Sequence, residues 1–258
     1  MLIVEREGAL LTLTLDRPKA ANALAPELVE QMIAAFSDLT DVRLCVIRAN
    51  GRHFCSGFDL SDLEDLSDGD LLWRFLRIEH LLQCVQHASV PVLALAQGQV
   101  VGAGADLFAA CWQRVASSDA KFRMPGWNFE LALGTRRITQ LLGRQNASEL
   151  LIDSQQLTAT RAAQLGLVTQ LAEQSDWKPI INEQLTSVEK LPAFSSARIL
   201  ELSQVDTREA DIAAIVKTAG RPGLQERVLT YRNRVLATHK QAKLPVSSDS
   251  GAKNQIRE

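Results

Sequence analysis

Val90-Pro-Val-Leu-Ala-Leu-Ala-Gln-Gly-Gln-Val-Val-Gly-Ala-Gly-Ala-Asp-Leu-Phe-Ala-Ala-Cys111 is the stretch on which the fold turns. Val90 to Ala96 is apolar throughout, which suits a buried strand, and Gly98, Gly102 and Gly104 then interrupt the run. The small residues after Gly102 read as the beginning of a buried helix, because they let a helix approach its neighbours closely. A dinucleotide-binding loop is the competing reading of Gly102-Ala-Gly104. It fails because Leu107 stands where the third glycine is needed, and because the stretch lies late in the chain rather than in an opening crossover unit.

Upstream, Ala9 to Leu15 alternates as a half-buried strand, and Asp16-Arg17-Pro18 ends it. Leu28, Val29, Met32, Ile33 and Phe36 recur at helical spacing, which predicts a helix over 26–39 with Pro26 in its first turn. Leu44 to Ile47 is a short buried strand, followed by the turn-forming loop Ala49-Asn-Gly-Arg-His-Phe-Cys-Ser-Gly57. Strand, helix, strand in that order implies a crossover unit. An acidic surface segment, 59–70, precedes a helix over 71–87. Downstream, residues 114–118 read as a strand and 120–127 as an irregular loop. Helices over 136–142, 145–152 and 160–165 follow, with a short strand at 167–172 and further helices to about 242. The fold class is α/β.

The chain has 258 residues, of which 46% are hydrophobic and 22% charged, enough apolar material for a sizeable core. A net charge of −2 leaves no basic footprint for nucleic acid. No apolar run reaches membrane-spanning length and the first residues lack the features of a secretory signal, so no membrane partner and a cytoplasmic location are expected. Cys45, Cys55, Cys84 and Cys111 are scattered without ligand spacing, which predicts reduced thiols and no metal site. Residues 245–258 are polar and are expected to be disordered.

Four segments together resemble the enoyl-CoA hydratase/isomerase (crotonase) family, over roughly Ile3 to Leu171. Arg17-Pro-Lys-Ala-Ala-Asn-Ala-Leu24 resembles the loop at the adenine end of CoA. His53-Phe-Cys-Ser-Gly-Phe-Asp-Leu60 and Gln97-Gly-Gln-Val-Val-Gly-Ala-Gly-Ala-Asp106 resemble the two oxyanion-hole loops, and Ala163-Gln-Leu-Gly-Leu-Val168 the passage to the helical tail. The resemblance implies a crotonase-like ββα spiral core over 1–190 and a C-terminal helical trimerisation region over 191–244. It also implies a trimer or a dimer of trimers, the C-terminal helices covering a neighbouring site, and no tightly bound cofactor, coenzyme A entering as part of an acyl-CoA substrate. Lys19, Ala20, Ala21, Ser56, Asp59, Leu60, Gly102 and Gly126 are its implied substrate contacts.

The chemistry of the two loops follows from charge. A thioester enolate carries negative charge on oxygen, and two converging backbone N–H donors stabilise it well in a dry pocket. By position these are the amides of Phe58 and Ala103, the second helped by the positive end of a helix. Asp106 stands where the family's hydratases place one glutamate, and Gly126 where they place the other. Asp106 is therefore the candidate acid/base, and proton transfer at position 126 is impossible. Glu130, in the shortened loop that follows, is a candidate replacement carboxylate. His53 reads as structural or as a CoA-side contact, His80 as a lesser acid/base candidate, and Trp127 and Phe129 as acyl-pocket lining. One carboxylate suits isomerisation or decarboxylation at least as well as hydration, thioester hydrolysis stays open, and a noncatalytic acyl-CoA-binding homologue is the alternative of a different class.

Overall fold

The computed structural model describes residues 1–242. An antiparallel hairpin, β1 (Leu2–Glu7) and β2 (Leu10–Leu15), turns at Gly8, whose φ of +57° suits glycine. Helix α1 (Pro26–Ala35) crosses over to β3 (Leu44–Ala49), which pairs parallel to β2. Helix α2 (Asp68–Gln86) then leads to β4 (Val92–Ala96), parallel to β3. Next come β5 (Gln99–Val101), α3 (Ala103–Ala110), β6 (Gln113–Ala116) and β7 (Lys121–Arg123). Helix α4 (Thr135–Asp153), β8 (Leu157–Thr158), α5 (Ala159–Gln164) and β9 (Gln170–Leu171) complete the strand-bearing part. Four helices follow: α6 (Trp177–Glu189), α7 (Ala193–Leu202), α8 (Arg208–Ala219) and α9 (Leu224–Ala242).

Six strands form one sheet in the order β1-β2-β3-β4-β6-β9, and β5-β7-β8 form a second, smaller one. Period-two alternation decides which side chains meet which layer. Cys45 and Ile47 of β3, with Ala94 and Ala96 of β4, join the main core with Leu11, Leu13 and Leu15. Leu44, Val46, Leu93 and Leu95 point the other way, onto Trp177, Ile180 and Ile181 of α6. Both faces of the central strands are thus covered, which is why they read as unbroken apolar runs. Each fully buried leucine contributes about 1.5–3 kcal/mol of transfer free energy.

Several elements depart from the sequence expectations. Residues 121–123 form β7 rather than an irregular loop. Phe122, buried between the charged Lys121 and Arg123, is a period-two pattern too short to read locally, and parallel pairing with β5 decides it. The segment 2–7 is a strand although its side chains are mostly exposed, because it is the edge of the large sheet. Gly143, at φ +73°, breaks α4 into the two helical pieces that the sequence indicates.

The C-terminal helices fold back on their own chain. Helix α8 packs on α2, and α9 crosses two 3-10 turns, Leu63–Asp65 and Gly126–Phe129. Asp68 fastens the start of α9 by accepting from the Gly223 and Gln225 amides, each at 2.8 Å. Helix α9 thus packs over elements of its own chain. Residues 243 and 244, and the tail 245–258 expected to be disordered, lie outside the described residues.

Candidate active site

The two glycine loops are joined backbone to backbone. Cys55 N donates to Gln99 O at 3.2 Å and Val101 N to Cys55 O at 2.9 Å, so the loop after β3 lies alongside β5. Gly57 has φ +92°, and a Cβ there would stand 2.6 Å from Val101 O and 3.2 Å from Ala103 N. Only glycine permits that approach. Gly104 does the same for α3: a Cβ on it would stand 2.5 Å from Cys55 O. Gly102, at φ +53°, turns the chain into α3 while its amide donates to Arg123 O at 2.8 Å.

These contacts bring Phe58 and Ala103 to one wall of a cavity of about 920 Å³. Neither residue's amide donates to an acceptor among the described residues. Two backbone donors beside a helix N-terminus are the arrangement that favours a developing oxyanion. The first loop is tied in turn to the segment after β2, through Leu24 N to Gly57 O at 2.8 Å and Ser56 N to Ala21 O at 3.0 Å.

Asp106 lies on the first turn of α3 and lines the same cavity. Its carboxyl is buried, and Oδ1 has no hydrogen-bond partner among the described residues. Gly134 makes room for it, since a Cβ there would collide with Oδ1. Burial pushes the Asp106 carboxyl well above the usual carboxylate range; the charge of Arg137 opposes the shift and that of Glu79 adds to it.

The other sequence candidates divide. Ala20, Ala21, Ser56, Leu60, Gly102 and Gly126 line the cavity. Lys19 does not; it is exposed on the 3-10 turn Pro18–Ala20. Asp59 lines the cavity, but Arg17 Nη1 holds its Oδ2 at 2.9 Å, so this carboxylate joins two loops. Glu130 is outside the cavity, against the expectation of a replacement acid/base: Arg221 Nη1 takes its Oε2 at 2.6 Å, on the surface. Glu130→Gln is expected to leave turnover within about twofold and to cost at most about 1 kcal/mol of stability, measured by steady-state kinetics and denaturant unfolding.

His53 lines the cavity, and its Nδ1 accepts from Gln99 N at 3.1 Å. Burial, then the charge of Arg52, lowers its pKa and keeps the ring neutral. His80 is exposed on α2, away from the cavity.

Trp127 and Phe129 line the cavity as expected, and the sequence reading missed their neighbours. Phe75 of α2 stacks between Phe58 and Phe129, at centroid distances of 4.5 and 6.3 Å, and Tyr231 of α9 meets Phe129 at 5.1 Å. Val228, Tyr231 and Val235, at spacings of three and four, put one face of α9 over the cavity. That spacing was the available signal.

The family model for enoyl-CoA hydratase/isomerase matches residues 5–218. A crystal structure from Bordetella parapertussis bearing an enoyl-CoA hydratase/isomerase name superposes with a TM-score of 0.88 at 40% identity, covering 89% of this chain and 97% of that one. The 2,3-dehydroadipyl-CoA hydratase of Escherichia coli K12 is 34% identical over 176 residues, 65% of this chain and 68% of that protein. The enoyl-CoA isomerase/hydratase fer4 of Mycosarcoma maydis is 32% identical over 175 residues, 62% of this chain and 64% of that protein. With the family model spanning most of its length, the chain belongs to the enoyl-CoA hydratase/isomerase family.

Proposed function

We propose that this chain binds an acyl-CoA thioester and shifts a double bond along its acyl chain, using Asp106 as its one acid/base. The observation that carries this reading is the carboxylate inventory of the cavity. Asp59 and Asp106 both line it, Arg17 engages Asp59, and Gly126 offers no side chain. Hydration is best served by one group to activate water and another to deliver a proton, whereas a 1,3-proton shift needs a single group that takes a proton and returns it.

In this reading the thioester oxygen accepts from the Phe58 and Ala103 amides. Asp106 takes the proton from C2 of a 3-enoyl thioester, and the electron pair moves onto the oxygen to give a dienolate. The same proton equivalent returns at C4, which leaves the double bond between C2 and C3. Two aligned donors stabilise the dienolate, and a buried carboxyl with a raised pKa is the stronger base for carbon acids. Ala20, Ala21, Ser56 and Leu60 would receive the CoA side, with Lys19 available to its phosphates, and the aromatic wall from Phe58 to Tyr231 the acyl side. No tightly bound cofactor enters this scheme; coenzyme A comes with the substrate.

The test is turnover of 3-enoyl-, 2-enoyl-, 3-hydroxyacyl- and malonyl-type CoA esters with mass detection of products. Conversion of the 3-enoyl ester supports the proposal; loss of carbon dioxide from the malonyl type would instead assign decarboxylation to the same carboxyl. Binding without turnover of any ester would favour a noncatalytic acyl-CoA-binding protein, the reading that the missing carboxylate at Gly126 motivates. We further propose a homotrimer or hexamer. Phe194, Leu202 and Val205, 77%, 73% and 65% exposed, leave apolar surface on and after α7 for such an interface. A solution mass of one 28.4 kDa chain would refute it.

A pH prediction follows from the raised Asp106 pKa. Turnover that starts from the carboxylate rises as pH climbs through that pKa. Stability runs the other way: the contribution of Asp106 is fully present below its unfolded pKa, about 3.9, and is lost as pH rises through the folded value. Asp106→Asn is therefore expected to melt a few degrees above the parent at pH 8, with the difference shrinking toward pH 4. A variant that melts lower at pH 8 than at pH 4, relative to the parent, would contradict this.

A further inference from the structure

Behind Asp106, helices α2, α3 and α4 enclose a set of polar groups in apolar surroundings. Glu79 of α2 and Arg137 of α4 are 0% and 3% exposed, and Arg137 Nη2 donates to Glu79 Oε1 at 3.2 Å. Gln83 Nε2 donates to the same oxygen at 3.1 Å, and Arg137 Nε donates to Gln86 Oε1 at 2.6 Å. Three buried atoms of this set have no partner among the described residues: Asp106 Oδ1, Glu79 Oε2 and Arg137 Nη1. A buried ion pair is a weak source of stability, and buried polar atoms without protein partners are ordinarily bridged by ordered water.

A second cavity, of about 530 Å³, opens on the other side of α3 and α4, and Arg137, Gln86 and Gln140 line it. Asp106 faces the thioester cavity and not this one, while Arg137 and Gln86 face this one and not the first. The polar set therefore spans the layer between the two.

We propose that Glu79, held by Arg137 and Gln83, relays protons between Asp106 and the rear cavity, so that Asp106 exchanges its proton with solvent while an acyl-CoA fills the front cavity. This rests on the proposed function of Asp106. Burial favours the neutral form of the Asp106 carboxyl, and a bound thioester closes the front. For the base to form, Asp106 loses its proton through bridging water to the Glu79 carboxylate, and Glu79 passes it to water in the rear cavity. Arg137 occupies Glu79 Oε1 and leaves Oε2 for the proton. The charged groups facing this path are Glu79 from α2, Arg137 from α4 and, reaching Glu79, Asp211 from α8, itself paired with Arg136 at 3.0 Å. Glu79 touches no substrate; it acts through Asp106.

The test is conversion of trans-3-hexenoyl-CoA in heavy water by the full chain, reading deuterium gained per product molecule by mass, in the parent, Glu79→Gln and Gln86→Leu. A proton that exchanges between removal and return gives roughly one deuterium per turnover, and a trapped proton comes back as protium. The expected result is high incorporation in the parent and at least about a threefold fall in both variants at similar KM. Should Glu79→Gln fail to fold, Gln86→Leu at the rim of the rear cavity carries the test. A loss of stability alone changes the rate but not this ratio. Equal incorporation in parent and variants, or none in the parent, overturns the relay. No conversion by the parent, or conversion that survives Asp106→Ala, overturns the proposed function and the relay with it.

Discussion

Asp106→Ala is expected to lower kcat by about 10²–10⁴ while changing the Kd for an acyl-CoA by less than about threefold. The asymmetry follows from where the side chain stands. Asp106 is buried at the start of α3 and lines the cavity at one wall, while the segments around Ala20, Ala21 and Leu60 line it elsewhere. Removing one carboxyl leaves those contacts in place. It also relieves a desolvated acid, so a folding defect is not the expected cause of lost turnover. Stopped-assay kinetics alongside calorimetric binding separates the two quantities. A variant that keeps more than about a tenth of parent kcat would remove Asp106 from the chemistry.

Gly57→Ala is the second large effect. Its Cβ would stand 2.6 Å from Val101 O and 3.2 Å from Ala103 N, and the backbone is held at φ +92°. The substitution forces apart the two strands of backbone that set the Phe58 and Ala103 amides side by side. Losing one such donor costs about 10²–10³ in kcat. Gly143→Ala is the control, because Gly143 is also left-handed, at φ +73°, yet a methyl group there would meet nothing within 4 Å. Both variants carry backbone strain, and only the first carries the collision. If Gly143→Ala slows turnover as much as Gly57→Ala, strain rather than donor geometry is responsible.

What could be read in advance was what is local. The run ending at Ala96 and the small residues from Ala103 to Ala110 announce a buried strand and a buried helix, and β4 and α3 occupy those places. Asp106 was found by its position after the glycines, and the structure places it at the cavity. Long-range pairing was not legible. Asp59 meets Arg17 across 42 positions, Glu130 turns to Arg221 across 91, and β7 exists because β5 is beside it. Glu79 gave a faint signal, a charge four residues after Phe75 on the buried face of α2. Its meaning depends on Arg137, 58 residues away.

Tyr231 is the only tyrosine in the sequence, and it stands on the face of α9 that roofs the cavity. Biosynthetic replacement of tyrosine by 3-fluorotyrosine would therefore give a fluorine spectrum with a single resonance, arising 5.1 Å from the ring of Phe129. That one line would report occupancy of the acyl end directly. Ligands could be ranked by titration, without a chromophore or a known reaction.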